Sequence, residues 1–280
     1  MSYDRALSIQ KSVINTIDEL HGRLTKTVTS DEDIHRTRVD IKHLRSWLRL
    51  LQIKTEDIDW KPMDYRLIKI SKTLGGARDA HVINEILSML ELNAISKKER
   101  LAINRFKERL NINFVSNQVD WKTTQQILSH ELITFKNNFV SFESMHTIKN
   151  GLRYTYKKTL QHGQKTYFKS KAADDLHKLR KWVKCLNYQL GYISKRDSDS
   201  CKQTIQSLHE LGELLGKAND LNMIYKSLTL ISDKEDNIKD FALINSLLNK
   251  HLKQILKNSK YLYESVFNLS PKKFIKKINV

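Results

Sequence analysis

The chain has 280 residues, enough for one large domain or two ordinary ones, with apolar content for a core that needs no disulfide staples. Only eight Gly and two Pro, Pro62 and Pro271, interrupt long apolar repeats of helical period, which argues against a sheet of many strands and for an all-α fold. A formal charge of +18, from 49 Lys plus Arg against 31 Asp plus Glu, predicts attraction to polyanions without saying which polyanion.

The two cysteines, Cys185 and Cys201, match neither a disulfide framework nor a zinc site, and the start MSYDRALSIQ lacks the apolar core of a signal peptide. A reducing cytoplasm is the expected location. No apolar run approaches the ~20 residues of a membrane span, so any meeting with a membrane would be at its surface.

In chain order, apolar periodicity predicts helices over 2–28, 32–53, 63–92, 96–118 or beyond, 122–140, 145–168, 172–194, 199–230 and 235–268. SDED before Ile34 supplies a cap with acidic first-turn companions, and Pro62 suits the opening turn of the third helix. Short connections between such helices favour antiparallel bundles. The tail PKKFIKKINV, with four lysines, reads as a solvated end.

The second of these helices carries a row of nitrogen-rich side chains. His35, Arg38, Lys42, Arg45 and Arg49 alternate at steps of three and four, which places them within a sector of about 80°. Ile34, Ile41, Leu44, Leu48 and Leu51 cluster roughly 120° away, so one stripe packs while another carries charge. A basic stripe on one amphipathic helix is usually a solvated face. Like charges at these spacings nevertheless repel by a few tenths of a kcal/mol per pair, and a bound anion is a natural compensation.

The row recurs. DIHRTRVDIKHLRSWLRLLQ near residue 33 is echoed by DLHKLRKWVKCLNYQLGYI near residue 175, matching His35 with His177, Arg38 with Arg180 and Lys42 with Lys184, flanked by Lys181. A second echo follows in the same order: Leu74-Gly75, Ala77 and Asp79 match Leu215-Gly216, Ala218 and Asp220. Two motifs repeated in register indicate a duplication, with a first repeat over 1–144 and a second over 145–280. The second row is thinner, because Asn187 and Gly191 stand where Arg45 and Arg49 would be. Charge divides unevenly as well: residues 1–149 carry 24 Lys or Arg against 19 acids, and 150–280 carry 25 against 12.

The pattern H-x-x-R-x-x-x-[K/R]-x-L-R, followed by L-G-x-x-R-D and then repeated in weaker form, resembles the CHAD domain, the conserved-histidine α-helical domain. His35, Arg38, Lys42, Leu44 and Arg45 with Leu74, Gly75, Arg78 and Asp79 carry the first copy; His177, Arg180, Lys184 and Leu186 with Leu215, Gly216, Asn219 and Asp220 carry the second. The resemblance covers nearly the whole chain. It implies two pseudo-twofold-related antiparallel four-helix bundles enclosing a basic central channel that binds inorganic polyphosphate. Related chains often adjoin a triphosphate-tunnel catalytic domain, but its E-x-E-x-K signature is absent, so a stand-alone, non-catalytic binding module without a cofactor is expected. Association with polyphosphate granules follows from the same likeness.

Polyphosphate asks for many cations in line and offers no base to stack. Arginines suit bidentate contacts to phosphate oxygens, and lysines act as point charges. Beyond the two rows, Lys72, Arg78, Arg153 and Lys157 are further candidate ligands, each equally compatible with a solvent-facing role. Asp79 and Asp220 are expected to orient channel arginines. His35 and His177, with an unperturbed pKa near 6.5, fit either phosphate donors or neutral groups that orient a neighbouring arginine. Metal ligation is disfavoured, since no carboxylate or cysteine stands at ligand spacing, and HELGE at 209–213 puts Glu213 where a zinc motif needs histidine. Trp47, Trp182 and Tyr188 read as packing residues. A helical nucleic-acid binder remains the alternative, lacking a recognised reading motif. A phosphohydrolase or kinase would need a phosphate loop or metal-binding acids, and neither pattern occurs.

Overall fold

The computed structural model describes residues 2–24, 31–51, 60–74, 76–94, 96–113, 121–137, 145–169, 173–193, 199–231 and 238–278. Within these spans, the side chains at 2–6, 31, 76–82, 109–113, 173, 199–200 and 230–231 lie outside the description. The described residues form α1 (Ser2–Leu24), α2 (Asp31–Leu51), α3 (Trp60–Thr73), α4 (Gly76–Leu92), α5 (Lys97–Asn113), α6 (Trp121–Asn137), α7 (Met145–Gln164), α8 (Ala173–Ile193), α9 (Asp199–Ile231), α10 (Ile238–Val266) and α11 (Pro271–Lys277). A π-helical turn, Lys165–Lys169, extends α7. No strand occurs among the described residues, and no helix of theirs is long and apolar enough to cross a membrane.

Apolar stripes sort the helices into two cores. The larger buries Val13, Ile17 and Leu20 of α1, Leu44, Trp47 and Leu48 of α2, Leu67 of α3, Leu128 and Phe135 of α6, Leu152 and Tyr156 of α7, and Leu179, Val183 and Leu186 of α8. Helices α1, α2, α3 and α6 contact one another in a ring, and α7 joins it through α1 and α2. The smaller core joins Ile83, Leu87 and Leu90 of α4 and Ile103 and Phe106 of α5 to Ile224 and Leu228 of α9 and Ile244 and Leu248 of α10. Each core draws on both halves of the chain.

Helix α2 packs on α7 and α8 with its backbone close to both. A Cβ built on Gly151 would lie 1.8 Å from the Leu50 carbonyl oxygen, so only glycine allows α7 to cross there. On the other side, the buried amide of Gln189 donates from Nε2 to the Ser46 carbonyl at 2.9 Å, and Trp47 stacks on Tyr192 with ring centroids 4.2 Å apart. These contacts lock α2 beside α8, the two helices that carry the basic rows.

The structure differs from the sequence expectation in two places. The single helix expected over 63–92 is two, α3 ending at Thr73 with a turn at Leu74 and α4 beginning at Gly76. Consecutive glycines have the lowest helix propensity of ordinary residues, and the Leu74 carbonyl at the end of α3 accepts from Arg38 Nη1 at 3.0 Å. The tail is likewise not merely a solvated end. Ser270 caps α11 by accepting from Lys273 N, Pro271 opens it, and Phe274, Ile275 and Ile278 are buried, with Phe274 stacked 4.0 Å from Tyr156. Its four lysines remain exposed, as expected. The predicted cap at Ser30 lies outside the described residues.

The Gly151 crossing predicts a contrast measurable by urea unfolding. Gly151→Ala should destabilise the chain by about 2 kcal/mol or more through overpacking. Gly191→Ala, on an exposed site of α8 with nothing within 4 Å of the added Cβ, should stabilise it by up to about 1 kcal/mol.

Candidate anion-binding cavity

A cavity of about 490 Å³ lies among four helices, two from each half of the chain. Helix α2 contributes Arg38, Lys42, Arg45 and Arg49; α3 contributes Ile68, Ser71 and Lys72. Helix α8 supplies His177, Arg180, Lys181, Lys184, Cys185 and Tyr188, and α9 supplies Asn219, Asp220 and Met223. Thus eight Lys or Arg side chains line the space, with one carboxylate, Asp220, among them. Helical phase explains the set: the apolar stripes of α2 and α8 pack inward, and the basic stripes on their flanks turn to the same side.

The four arginines and Lys184 are held by their local structure. Arg38 reaches the Leu74 carbonyl at the end of α3. Its counterpart Arg180 lies across Gly216 of α9, where an added Cβ would come within 3.1 Å of Nη2, so the Leu-Gly step of each half receives the first arginine of that half's row. The stem of Lys184 rests against Gly212, and its Nζ pairs with Glu213 at 3.1 Å. Burial raises the Glu213 carboxyl, but Lys184 outweighs it and holds the group below its usual range. His177 Nδ1 donates to Asn219 Oδ1 at 3.3 Å, an arrangement that orients the ring on the α9 wall.

Arg45 and Arg49 are the most enclosed of the lining arginines. Arg45 Nε donates to Asp64 Oδ1 at 2.6 Å, and Arg49 Nη2 donates to both carboxylate oxygens at 3.0 and 2.8 Å. Arg49 is 4% exposed and lies over Trp182, its Cζ 5.1 Å from the ring centroid. Burial would raise the Asp64 carboxyl, yet Arg49 and Arg45 together hold it below the usual carboxylate range. Lys181 faces this cluster, and burial, then the charges of Arg49 and Arg45, push its amine down to about 8. Burial pushes the Cys185 thiol up, so it lines the wall as a neutral group. Tyr188 packs against His43 with the rings tilted by 31° and their centroids 4.2 Å apart, and the His43 ring shares a hydrogen bond with the Tyr192 hydroxyl; burial and Lys42 push His43 down to about 4.

Of the candidates read from the sequence, the cavity brings together Arg38, Lys42, Arg45, Arg49, Lys72, His177, Arg180, Lys181, Lys184 and Asp220. It does not include His35, which is exposed one turn before Arg38, on the right face but beyond the end of the cavity. Nor does it include Arg153, which donates to Asn150 Oδ1 at 3.3 Å, or exposed Lys157. Both sit on the flank of α7 opposite its buried Leu152, Thr155, Tyr156 and Thr159. The side chains of Arg78 and Asp79 lie outside the described residues. Sequence reasoning missed Asp64, the acid that orients two cavity arginines. The available signal was an acid beside Met63 and three residues before Leu67, on a stripe otherwise apolar. Among the described residues, no group of three or more His, Cys, Asp or Glu could hold a metal ion.

An all-α protein with a cation-lined cavity shared by its two halves is the class that this architecture defines. The CHAD domain family model matches residues 15–228, and the chain belongs to the CHAD domain family. Among solved structures, the crystal structure of the CHAD domain from the plant Ricinus communis is similar, with 15% sequence identity, coverage of 100% of this chain and 92% of that chain, and a TM-score of 0.51. Comparison with curated proteins gives no significant match.

Lys181 makes a pH prediction. A polyanion entering beside it favours the charged amine and raises its pKa above the unliganded value of about 8. Below that pH the lysine is already charged and binding moves no proton there; above it, binding takes one up and affinity falls as pH rises, by at most about tenfold per unit. Calorimetry at pH 8.5 in buffers of different ionisation enthalpy should detect the uptake. Lys181→Arg should remove it.

Proposed function

We propose that this chain binds inorganic polyphosphate, without turning it over, in the cavity between its halves. The observation that carries the reading is the convergence of basic rows from α2 and α8 on one space of about 490 Å³. A linear polymer with about one negative charge per internal phosphate matches a site that offers cations in succession along two helices and little else. Arg38 and Arg180 grip at equivalent positions of the two halves, Lys42, Lys72 and Lys184 add point charges, and Arg45 and Arg49 present a fixed central pair. On this reading, 1–144 and 145–280 are two copies of a four-helix unit related by a pseudo-twofold axis, and the cavity is the middle of a basic channel between them. His177 serves as a donor or as a holder of the α9 wall; Asp220 orients its cationic neighbours. The protein acts in the cytoplasm, at polyphosphate granules, and a fluorescent fusion spread evenly through polymer-rich cells would count against that placement.

Competition tests the function. Protein immobilised at fixed salt should be eluted by long polyphosphate at lower charge concentration than by orthophosphate or by single- or double-stranded nucleic acid. Arg38→Ala and Arg180→Ala should each weaken binding by about tenfold, as expected for loss of a charge-assisted contact. Affinity should fall steeply with salt through counterion release, and each of the two variants should show a slope reduced by about one ion. Changing Lys272 and Lys273 to alanine should have little effect, and an equal loss there would indicate nonspecific attraction. Nucleic acid displacing as well as polyphosphate would favour a nucleic-acid binder. Phosphate released in the presence of a divalent ion would make the protein an enzyme.

A further inference from the structure

Behind the lining arginines Arg45 and Arg49 stands something that attraction to an anion does not by itself require. A carboxylate there subtracts one unit from the positive charge that draws a polyanion in. Yet Asp64 is buried against two of the cavity's arginines, with contacts of 2.6, 2.8 and 3.0 Å and side-chain exposures of 13% for Asp64, 12% for Arg45 and 5% for Arg49. Arg49 is fixed from a second direction by the face of Trp182. Arg45 keeps its enclosed Nη2 without a hydrogen-bond partner among the described residues. The cluster occurs in one half only. Positions related by the repeat offset hold Asn187, Gly191 and either Ile205 or Gln206, so the acid and both arginines are missing together.

An unrestrained arginine samples many rotamers and loses that freedom when it grips phosphate; one already held in place loses less. Resting on the anion-binding function proposed above, we infer that Asp64 is a positioning residue for the bound phosphates: by clamping the Arg45 and Arg49 guanidiniums against the cavity wall, it tightens anion binding although it makes the cavity less positive. Glu213 supplies the contrast. It pairs with Lys184 from a half-exposed position, where it competes with the ligand for the amine instead of setting a geometry.

The two carboxylates make a matched test, since Asp64→Asn and Glu213→Gln each remove one negative charge from the surroundings of the cavity. With inorganic tripolyphosphate as the probe and calorimetry on the full chain, Asp64→Asn should weaken binding about tenfold, the worth of about one preset charge-assisted contact. Glu213→Gln should tighten it about threefold, in keeping with the loss of an exposed competing ion pair. In the unliganded chain, the Arg45 and Arg49 Nε–H resonances should be sharp in the wild type and exchange-broadened in Asp64→Asn, a readout that needs no ligand. Equal or tighter binding by Asp64→Asn would overturn the inference and leave charge counting as the rule. Should that variant fail to fold, Asp64→Glu keeps the charge and moves the fork by one methylene; weaker binding supports positioning, and unchanged affinity refutes it. A wild-type chain that binds no tripolyphosphate would instead defeat the proposed function, and the inference with it.

Discussion

The contact between α2 and α8 is the constraint on which the rest of the molecule depends. Each helix carries an apolar stripe and a basic one, and in isolation the basic stripe would destabilise its own helix. Burying Leu44, Trp47 and Leu48 with Val183, Leu186 and Leu190 in one core offsets that repulsion and fixes the rotation of both helices. The bond from Gln189 to the Ser46 carbonyl then sets how closely they lie. Once rotation and spacing are fixed, the charged flanks have nowhere to go but the common space roofed by α3 and α9. The cationic cavity is therefore a by-product of apolar packing, stabilised locally by Asp64 and Glu213.

That chain of causes explains what could be read in advance. A face on a helix is fixed by residue spacing alone, so Arg38, Lys42, Arg45, Arg49, Arg180, Lys181 and Lys184 were legible as lining residues, and so was the all-helical class. Position along a helix axis is not: His35 shares the sector of Arg38 but stands a turn too far out. Pairings between helices are also invisible to periodicity, which is why the pairing of Asp64 with Arg45 and Arg49 of another helix gives no signal in the spacing. The break between α3 and α4 needed a tertiary partner, Arg38, for the carbonyl at the end of α3. Arg153 and Lys157 had the right chemistry on a helix whose other side does the packing. The tail reads as solvated because four lysines outweigh in its composition the buried Phe274, Ile275 and Ile278.

The two halves are alike in motif and unlike in execution. In the first, the Leu-Gly step ends a helix and Arg38 bonds to backbone; in the second, α9 runs on unbroken and Arg180 lies flat on Gly216. The first half supplies the deep arginines and their buried acid, and the second supplies Lys181, a lysine poised near neutrality beside them. The two halves thus place matching arginines, Arg38 and Arg180, on one cavity, while the buried Arg45–Arg49–Asp64 cluster comes from the first half alone.

Helices α9 and α10 run through both cores without interruption, α9 over 33 residues and α10 over 29. Neither core can come apart while the other stays whole unless these rods bend or fray midway. The chain should therefore lose its structure as one cooperative unit, and whatever stiffens the cavity end of α9 is felt at the far end, where α4 packs on α9 and α5 on α10.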